Sequence, residues 1–377
     1  MMFVQMKVPL LDLQRQNLPL EAELLDAFRR VLTSGQFILG PEVEQFESAA
    51  AAVAGARFGI GMSSGTDAIL VALMALGIGP GDEVICPSFT FFATAGCIAR
   101  LGARPVFADS CPECFNLDPA GIEPLITGRT KAIIPVHLFG QAADMDRVLE
   151  IARRHGLAVI EDAAQAFGAV YRGRPVGSLG DFGTISFFPT KNLGALGDAG
   201  LLVTNDEALA EKARLLRNHG ASRRYFHSLV GGNFRLDALQ AALLRVKLPR
   251  LAEYTAQRQQ HFAEYNRALA GHDGVVVPTT HPDRTHIANQ YTLRVRGGRR
   301  DALRRFLQER GIASEIYYPV PLHAQECFRT FGSDAALPIA EALADEVVSL
   351  PVFPEMTSEE RGAVLAGITD FLEPEGR

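Results

Sequence analysis

The sequence predicts an α/β fold: a three-layer sandwich with a mostly parallel sheet, followed by a smaller C-terminal α+β domain. Over residues 42–205, short apolar or β-branched runs alternate with amphipathic stretches of helical length. This alternation predicts βα units on a parallel sheet with both faces covered. A length of 377 residues also exceeds what one ordinary core needs. The predicted strands are residues 83–86, 105–108, 132–136, 157–160, 183–187 and 201–204, and the predicted helices 67–76, 94–101 and 145–155.

The pattern changes near Arg250. A strong helical run over residues 236–248 is broken at Pro249, and a more polar helical run follows over residues 251–269. A strand-like run at residues 291–295, a charged helix at 300–310 and a proline-rich segment at 317–323 come later. We therefore predict a large domain over residues 1–250, which includes the N-terminal segment, and a small domain over residues 251–377.

Composition narrows the classes of function. Hydrophobic residues make up 47% of the chain and charged residues 21%, as in globular proteins. A net charge of −6 argues against nucleic acid or an anionic membrane as the main partner. The longest apolar run, residues 68–79, is too short to span a bilayer, and no secretion signal is evident. The odd number of cysteines, five, is best accommodated by a reducing cytoplasm, where we expect this protein.

Two of these cysteines are separated by only two residues. Cys111-Pro112-Glu113-Cys114 has the spacing of half a zinc site or of a redox pair. No second Cys/His pair with matching spacing follows, which favours an incidental pair in a loop. We expect no metal site.

Two charged residues of opposite sign are predicted at the mouth of the sheet. Asp162 ends one apolar run, and Lys191 lies just beyond another, 29 residues later. The carboxyl ends of parallel strands meet at one edge of a sheet, where ligands bind. An amine and a carboxylate there supply the Schiff-base partner and the pyridinium partner that pyridoxal phosphate requires. Singly, each residue is more often a surface charge or a cap, so the prediction depends on its companions.

Several weaker signals accompany this pair. Residues 61–67 place small and hydroxyl side chains, Gly65 and Thr66 among them, before a helix, where they could bind phosphate or form an ordinary N-cap. Ser186 could add a hydroxyl to the same phosphate or be a strand serine. Gln165 could bind a phenolic oxygen or cap a turn, and Asn233 could bind phosphate or begin a helix.

An aromatic run after a predicted strand adds one more signal. Residues 90–94, Thr-Phe-Phe-Ala-Thr, could place an aromatic face on a planar cofactor or pack in the core. The ordered set of motifs resembles the sugar aminotransferases of the DegT/DnrJ/EryC1/StrS group, which are pyridoxal phosphate enzymes of the aspartate aminotransferase fold. The resemblance rests on residues 34–43, 64–68, 135–140, 161–165, 186–194, 233–237, 318–323 and 350–355.

The resemblance implies a role for individual residues. Lys191 matches the Schiff-base lysine and Asp162 the partner of the pyridine nitrogen. Gln165 matches the partner of the phenolic oxygen, and Phe91 and Ala164 match the contacts on the two ring faces. The implied phosphate ligands are Gly65, Thr66, Ser186 and, from a neighbouring subunit, Asn233, so that a homodimer with shared active sites is expected. The implied substrate residues are Phe37, Tyr318 and His323.

The implied activity is transfer of an amino group, with glutamate as donor, to a nucleotide-linked keto-deoxysugar. Residues 193–198 and 224–227 are more similar to family members that aminate C3 than to those that aminate C4. C4 amination remains an alternative, as does a non-catalytic regulator that binds the cofactor. The chain departs from many relatives at Phe167, where they have histidine, and at Ala199, where they have glycine. Lys191 argues against the related dehydratases, which have histidine there, and no Gly-x-Gly-x-x-Gly turn supports a nicotinamide enzyme.

Overall fold

The computed structural model describes residues 7–331 and 336–373. Twelve α-helices are described within these ranges: α1 Leu13–Asn17, α2 Glu21–Ser34, α3 Pro41–Val53, α4 Gly65–Leu76, α5 Ala93–Arg100, α6 Met145–His155, α7 Glu207–Arg217, α8 Ala238–Lys247, α9 Leu251–Leu269, α10 Arg300–Glu309, α11 Pro338–Glu346 and α12 Ser358–Leu372. Short 3₁₀ helices occupy Leu18–Leu20, Pro119–Gly121, Glu123–Leu125, Leu138–Gly140, Leu248–Arg250, Leu322–Ala324 and Glu326–Phe331.

The strands form one large sheet and three small ones. The fourteen strands of the described residues are β1 Phe58–Met62, β2 Glu83–Pro87, β3 Arg104–Ala108, β4 Thr130–Ile133, β5 Ala158–Asp162, β6 Val170–Tyr171, β7 Arg174–Pro175, β8 Phe182–Ser186, β9 Gly200–Thr204, β10 Ala221–Arg223, β11 Phe226–His227, β12 Val275–Val276, β13 Tyr291–Val295 and β14 Val347–Leu350. The seven-stranded sheet has the order β1-β9-β8-β5-β4-β2-β3. Its middle pairs are parallel, and only β9 runs antiparallel to its neighbours β8 and β1. The predicted α/β fold with a mostly parallel sheet is confirmed.

Helices cover both faces of this sheet, because successive strand residues point to opposite sides. On β5, Val159 belongs to one apolar cluster, together with residues of α2, α3 and α8. Its neighbour Ile160 belongs to the opposite cluster, together with residues of α4 and α5. On β9, Leu201 and Leu202 alternate in the same way. The sheet is therefore the middle layer of three.

Strand β1 was not among the predicted strands. Two of its five residues are glycines, which weaken the β signal of a sequence. The structure explains one of them, since a Cβ on Gly59 would lie 2.5 Å from the Glu47 carbonyl oxygen of α3. Close packing of α3 on this edge strand requires the glycine.

The C-terminal part surrounds the three-stranded sheet β12-β13-β14. A third apolar cluster there includes Phe262 and Tyr265 of α9 and Ile368 of α12. Val8, from the N-terminal segment, also belongs to this cluster, whereas Leu343 of α11 packs in a cluster of the large sheet. The division at residue 250 stays a prediction. No described helix combines the length and apolar character that crossing a bilayer would require.

Candidate active site

A cavity of about 470 Å³ opens at the carboxyl ends of the parallel strands, between the large sheet and the C-terminal part. Strand ends and helix starts of this kind are where open α/β sheets bind ligands. The side chains that line it are Ser64, Gly65, Thr66, Ile69, Thr90, Phe91, Ala93, Val136, Asp162, Ala164, Gln165, Ser186, Phe188, Thr190, Lys191, Asp198, Ala199, Gln290, Tyr317 and Tyr318. Nine of the twelve residues predicted for the site are in this set.

Lys191 and Asp162 are brought into the same cavity from two neighbouring strands. Removal from water lowers the pKa of Lys191 to about 8, and the attraction of Asp162 only partly opposes this. Burial also raises the pKa of Asp162. Two hydrogen bonds favour its ionised form, from the Thr94 hydroxyl at 2.8 Å and from the Ala164 N–H at 3.2 Å. The cavity therefore contains an amine that loses its proton readily and a carboxylate with dedicated donors.

A buried hydrogen-bond network holds the strand that carries Asp162. The preceding residue, Glu161, is fully buried and accepts three backbone N–H bonds, from Gly177, Leu179 and Gly180, at 2.6–2.9 Å. Its fourth contact is His137 Nε2 at 3.0 Å. The Ala143 N–H donates to His137 Nδ1, so Nε2 carries the hydrogen that points at Glu161. The main chain of β5 is thus fixed immediately next to Asp162.

Gln165 is oriented by two hydrogen bonds. The Phe139 N–H donates to Gln165 Oε1 at 2.6 Å, and Gln165 Nε2 donates to the Tyr318 hydroxyl oxygen at 3.0 Å. Burial raises the pKa of Tyr318, which keeps this hydroxyl neutral. The contact with Gln165 joins a predicted substrate residue to a predicted cofactor residue, although the two are 153 positions apart.

The start of α4 forms a small polar cradle. Ser64 caps the helix by accepting the Asp67 N–H at 3.0 Å. Within the described residues, no hydrogen bond is made by the N–H groups of Gly65 and Thr66, and the helix dipole adds partial positive charge there. A Cβ at Gly65 would lie 2.7 Å from the Cβ of Ser186, so that only glycine leaves this space open. The cradle has the features of an anion site.

The turn that carries Lys191 is anchored from below. Lys247 donates its Nζ to the Gly194 carbonyl at 2.6 Å, and Asn192 Nδ2 donates to the Ile287 carbonyl at 2.9 Å. A Cβ at Gly194 would lie 2.1 Å from the Pro189 carbonyl oxygen, which shows how tightly the turn closes. Lys191 is therefore presented by a rigid support.

Three predicted residues lie outside the lining of the cavity. Asn233 is exposed in the loop before α8, and Phe37 is 51% exposed at the end of the N-terminal helices. His323 is occupied elsewhere, with Nδ1 2.6 Å from the Ser88 hydroxyl and Nε2 3.3 Å from Glu341. The roles assigned to these three residues stay predictions.

The structure adds residues that the sequence did not single out. Thr94 donates to Asp162 across 68 positions, a contact that no local pattern could reveal. Thr90 is buried beside the cavity and its hydroxyl has no partner among the described residues. Tyr317, Gln290 and Asp198 complete the lining. Tyr317 adjoins the motif at residues 318–323 and Asp198 ends the motif at residues 193–198, but the sequence assigned neither of them a role.

The cavity fits pyridoxal phosphate on its own chemistry. It offers a lysine of lowered pKa, a facing carboxylate, an anion cradle and an unpaired hydroxyl, that of Thr90. The described residues contain no group of three or more His, Cys, Asp or Glu side chains that could hold a metal ion.

Comparison with known proteins agrees with this fit. The DegT/DnrJ/EryC1/StrS aminotransferase family matches residues 19–369. The chain is 52% identical to a pleiotropic regulatory protein of Geobacillus stearothermophilus, over 97% of this chain and 99% of that protein. It is 46% identical to a UDP-N-acetyl-3-dehydro-alpha-D-glucosamine 3-aminotransferase of Acidithiobacillus ferrooxidans, over 94% and 95% of the two chains.

A solved structure is similar over the whole length. The crystal structure of S. venezuelae DesV in complex with a ketimine intermediate has a TM-score of 0.95 and 43% identity, covering 98% of this chain and all of that one. The similarity of sequence and fold therefore extends over nearly the whole chain. The chain belongs to the DegT/DnrJ/EryC1/StrS aminotransferase family, and its cofactor is pyridoxal phosphate.

Proposed function

We propose that the enzyme transfers an amino group, donated by glutamate, to the C3 keto group of a nucleotide-linked keto-deoxysugar. The observation that carries this proposal is the joint placement of the Lys191 amine and the Asp162 carboxylate in one cavity. The preference for C3 is supported by the motifs at residues 193–198 and 224–227, and by the 3-dehydro sugar in the name of the Acidithiobacillus relative.

In this proposal, each residue of the cavity binds one part of the cofactor. Gly65, Thr66 and Ser186 hold the phosphate, and Gln165 holds the phenolic oxygen. Asp162 binds the pyridine nitrogen, and Phe91 and Ala164 contact the two faces of the ring. When bound, pyridoxal phosphate supplies an electrophilic carbon and a ring that withdraws electrons from the substrate.

Lys191 moves the proton. A pKa of about 8 leaves a substantial neutral fraction near pH 7.5, so the side chain can accept a proton as well as donate one. Asp162 provides a fixed negative charge whose donors, Thr94 and Ala164, are already in place. Preorganised charge of this kind is the larger part of many catalytic effects, because it needs no rearrangement during the reaction.

The Lys191→Ala variant tests the assignment directly. We expect it to fold, to lose the visible absorbance of bound cofactor and to lose turnover. Borohydride treatment of the wild type should attach the cofactor irreversibly to the peptide that carries Lys191, and not to the peptide that carries Lys247. Normal turnover by the variant, or labelling of another lysine, would overturn the assignment.

Regiochemistry needs a separate experiment. The holoenzyme is incubated with glutamate and either a 3-keto or a 4-keto nucleotide sugar, and the products are identified by NMR. We expect an amine at C3. Amination only at C4 would replace our proposal by the alternative within the same family.

We also propose a homodimer with shared active sites. Phe91 and Phe188 line the cavity and are still 54% and 50% exposed, so a single chain leaves the site partly open. If Asn233 completes the phosphate site of the other subunit, inactive Lys191→Ala and Asn233→Ala variants should complement each other when mixed. One intact site in half of the dimers predicts about a quarter of wild-type activity. No complementation after verified subunit exchange would exclude sharing through Asn233.

A second candidate is a regulator that has lost the reaction, favoured by the name of the Geobacillus relative. Against it, this chain retains Lys191, Asp162 and the donors that tune Asp162. Measurable turnover with any nucleotide ketosugar would decide for the enzyme.

A further inference from the structure

The chain contains a second reactive cluster, outside the cofactor cavity. Cys111 and Cys114 lie in the turn that follows β3, and both are free thiols. The Phe115 N–H donates to the Cys111 carbonyl at 2.9 Å, which closes one helical turn across the pair. Phe115 then takes a positive φ of 64°, so the chain leaves the turn at once. This motif was attributed above to an incidental loop pair.

The turn has the geometry that a disulfide needs. From the rise and radius of a helical turn, Cα atoms three residues apart are separated by about 5 Å. Disulfides bridge Cα atoms that are roughly 4.4–6.8 Å apart. The two cysteines can therefore be joined while the main chain keeps its present course.

Contacts on both sides hold the turn in this shape. Asn116 accepts the Leu138 N–H at 2.8 Å and donates to the Gln141 carbonyl at 3.0 Å. On the other side, Arg294 donates to the Pro112 carbonyl at 3.2 Å. A turn anchored in this way keeps the two sulfur atoms near each other, which raises their effective concentration for reaction.

The two thiols differ in accessibility and acidity. Cys111 is partly exposed, whereas Cys114 is buried. The hydrogen bond from the Cys114 thiol lowers the pKa of Cys111, while that interaction and burial raise the pKa of Cys114. Glu113 opposes this, because its carboxylate lies 3.1 Å from Cys111 Sγ and favours the protonated thiol. The balance makes Cys111 the attacking sulfur.

We propose that Cys111 and Cys114 form a reversible thiol–disulfide site, in which Cys111 reacts with an external disulfide and Cys114 resolves the product. With glutathione disulfide as oxidant, Cys111 thiolate attacks one sulfur and releases one glutathione thiolate. Cys114 then transfers its proton to that released thiolate and attacks Cys111 Sγ, which breaks the mixed disulfide and releases the second glutathione as a thiolate, which takes up the proton that Cys111 had lost to solvent. One intrachain bond forms, two thiols are oxidised and one glutathione disulfide is reduced to two glutathiones.

The site is independent of the amino-transfer reaction. Neither cysteine lines the cofactor cavity, and a metal is not needed, because the described residues hold no cluster of three ligands. If the proposed sugar substrate proves wrong, the inference about these thiols is unaffected.

The test uses the holoenzyme equilibrated with graded ratios of reduced and oxidised glutathione, then acid-quenched and analysed by peptide mass spectrometry. We expect an intrachain disulfide between Cys111 and Cys114, formed without lasting glutathione on either residue. Exposed Cys327 is the internal control and should carry a simple glutathione adduct. Persistent glutathione on Cys111 in the wild type, or no disulfide under oxidising conditions, would overturn the proposal.

Two variants of the resolving residue separate its roles. Cys114→Ser keeps a hydrogen-bond donor and Cys114→Ala removes it, and both should trap glutathione on Cys111. Alkylation of Cys111 by iodoacetamide should be several-fold slower in Cys114→Ala than in Cys114→Ser, whereas Cys327 should react equally in both. Equal rates at Cys111 would show that Cys114 does not activate it, and failure of both variants to trap the adduct would remove its resolving role.

Discussion

The buried lysine beneath the active-site turn allows a quantitative test of the electrostatics. Lys247 is 1% exposed and donates to the Gly194 carbonyl, and burial lowers its pKa from 10.5 to about 8. In the unfolded chain the same amine keeps its proton up to pH 10.5. Between about pH 8 and 10.5 the unfolded state therefore binds more protons, and stability rises with pH through this group. At ~1.36 kcal/mol for each pKa unit, the full penalty at neutral pH is ~3.4 kcal/mol.

The Lys247→Met variant removes this penalty together with its pH dependence. Because other groups can also titrate in this range, only the difference between wild type and variant isolates Lys247. We expect the free energy of unfolding of the wild type, relative to the variant, to increase by ~2 kcal/mol between pH 7.5 and 9.5. The unpaired Gly194 carbonyl adds a cost of about 1–3 kcal/mol that is nearly independent of pH.

Urea denaturation of the holoenzyme at the two pH values, at one protein concentration, measures this difference. The matched control is Lys131→Met, which makes the same substitution at an exposed position on β4 and removes no buried charge. A difference between wild type and Lys247→Met that stays constant with pH would refute the reasoning. It would show that the Lys247 amine keeps its proton in the folded state.

Three further substitutions address the site. Thr94→Val removes a donor to Asp162, and we expect kcat to fall by 10–100-fold, because a hydrogen bond to a charged group contributes about 1.5–3 kcal/mol; unchanged steady-state kinetics would contradict this. Gly65→Ala places a methyl against the Cβ of Ser186, so the apoenzyme should bind pyridoxal phosphate at least 10-fold more weakly by fluorescence titration and should also lose some thermal stability. In Glu161→Gln, the amide NH₂ faces backbone N–H groups that need an acceptor. The free energy of unfolding, measured in urea, should fall by about 3–5 kcal/mol. A loss below about 1 kcal/mol would show that the charge is unnecessary.

Local patterns predicted the regular elements well. Helix α6 and helix α9 begin and end at the predicted residues, because clear apolar periodicity and breakers such as Gly156 and Pro249 mark them. The predicted strand at residues 132–136 was too long: β4 ends at Ile133, although apolar residues continue to Val136. Beyond that point the Ile134 N–H still donates to the Ile85 carbonyl, and Val136 forms an isolated bridge with Asp162, which the sequence could not show.

Cavity residues that lie at the ends of strands or the start of a helix could be predicted from the sequence. Residues that are placed by contacts between distant segments could not. Lys191, Asp162 and Ser186 follow directly from the order of strands, and Gly65 from the start of a helix. Thr94 and Tyr317 owe their positions to packing between distant segments. Long-range contacts of this kind leave no periodic or spacing signal in one sequence.

The buried charged groups of the site need a stable surrounding fold to hold them in place. Lys191, Asp162 and Lys247 are all held where water is excluded, and each pKa shift shows that burial disfavours the charged form. Such groups persist only if the surrounding fold is stable enough to hold them. The three layers of the sandwich supply that stability, and the hydrogen bonds donated to Glu161 and Asp162 fix the strand end that carries the candidate site. Activity and stability are therefore in opposition at Lys191, so replacing it by an uncharged residue should stabilise the apoprotein while abolishing its chemistry.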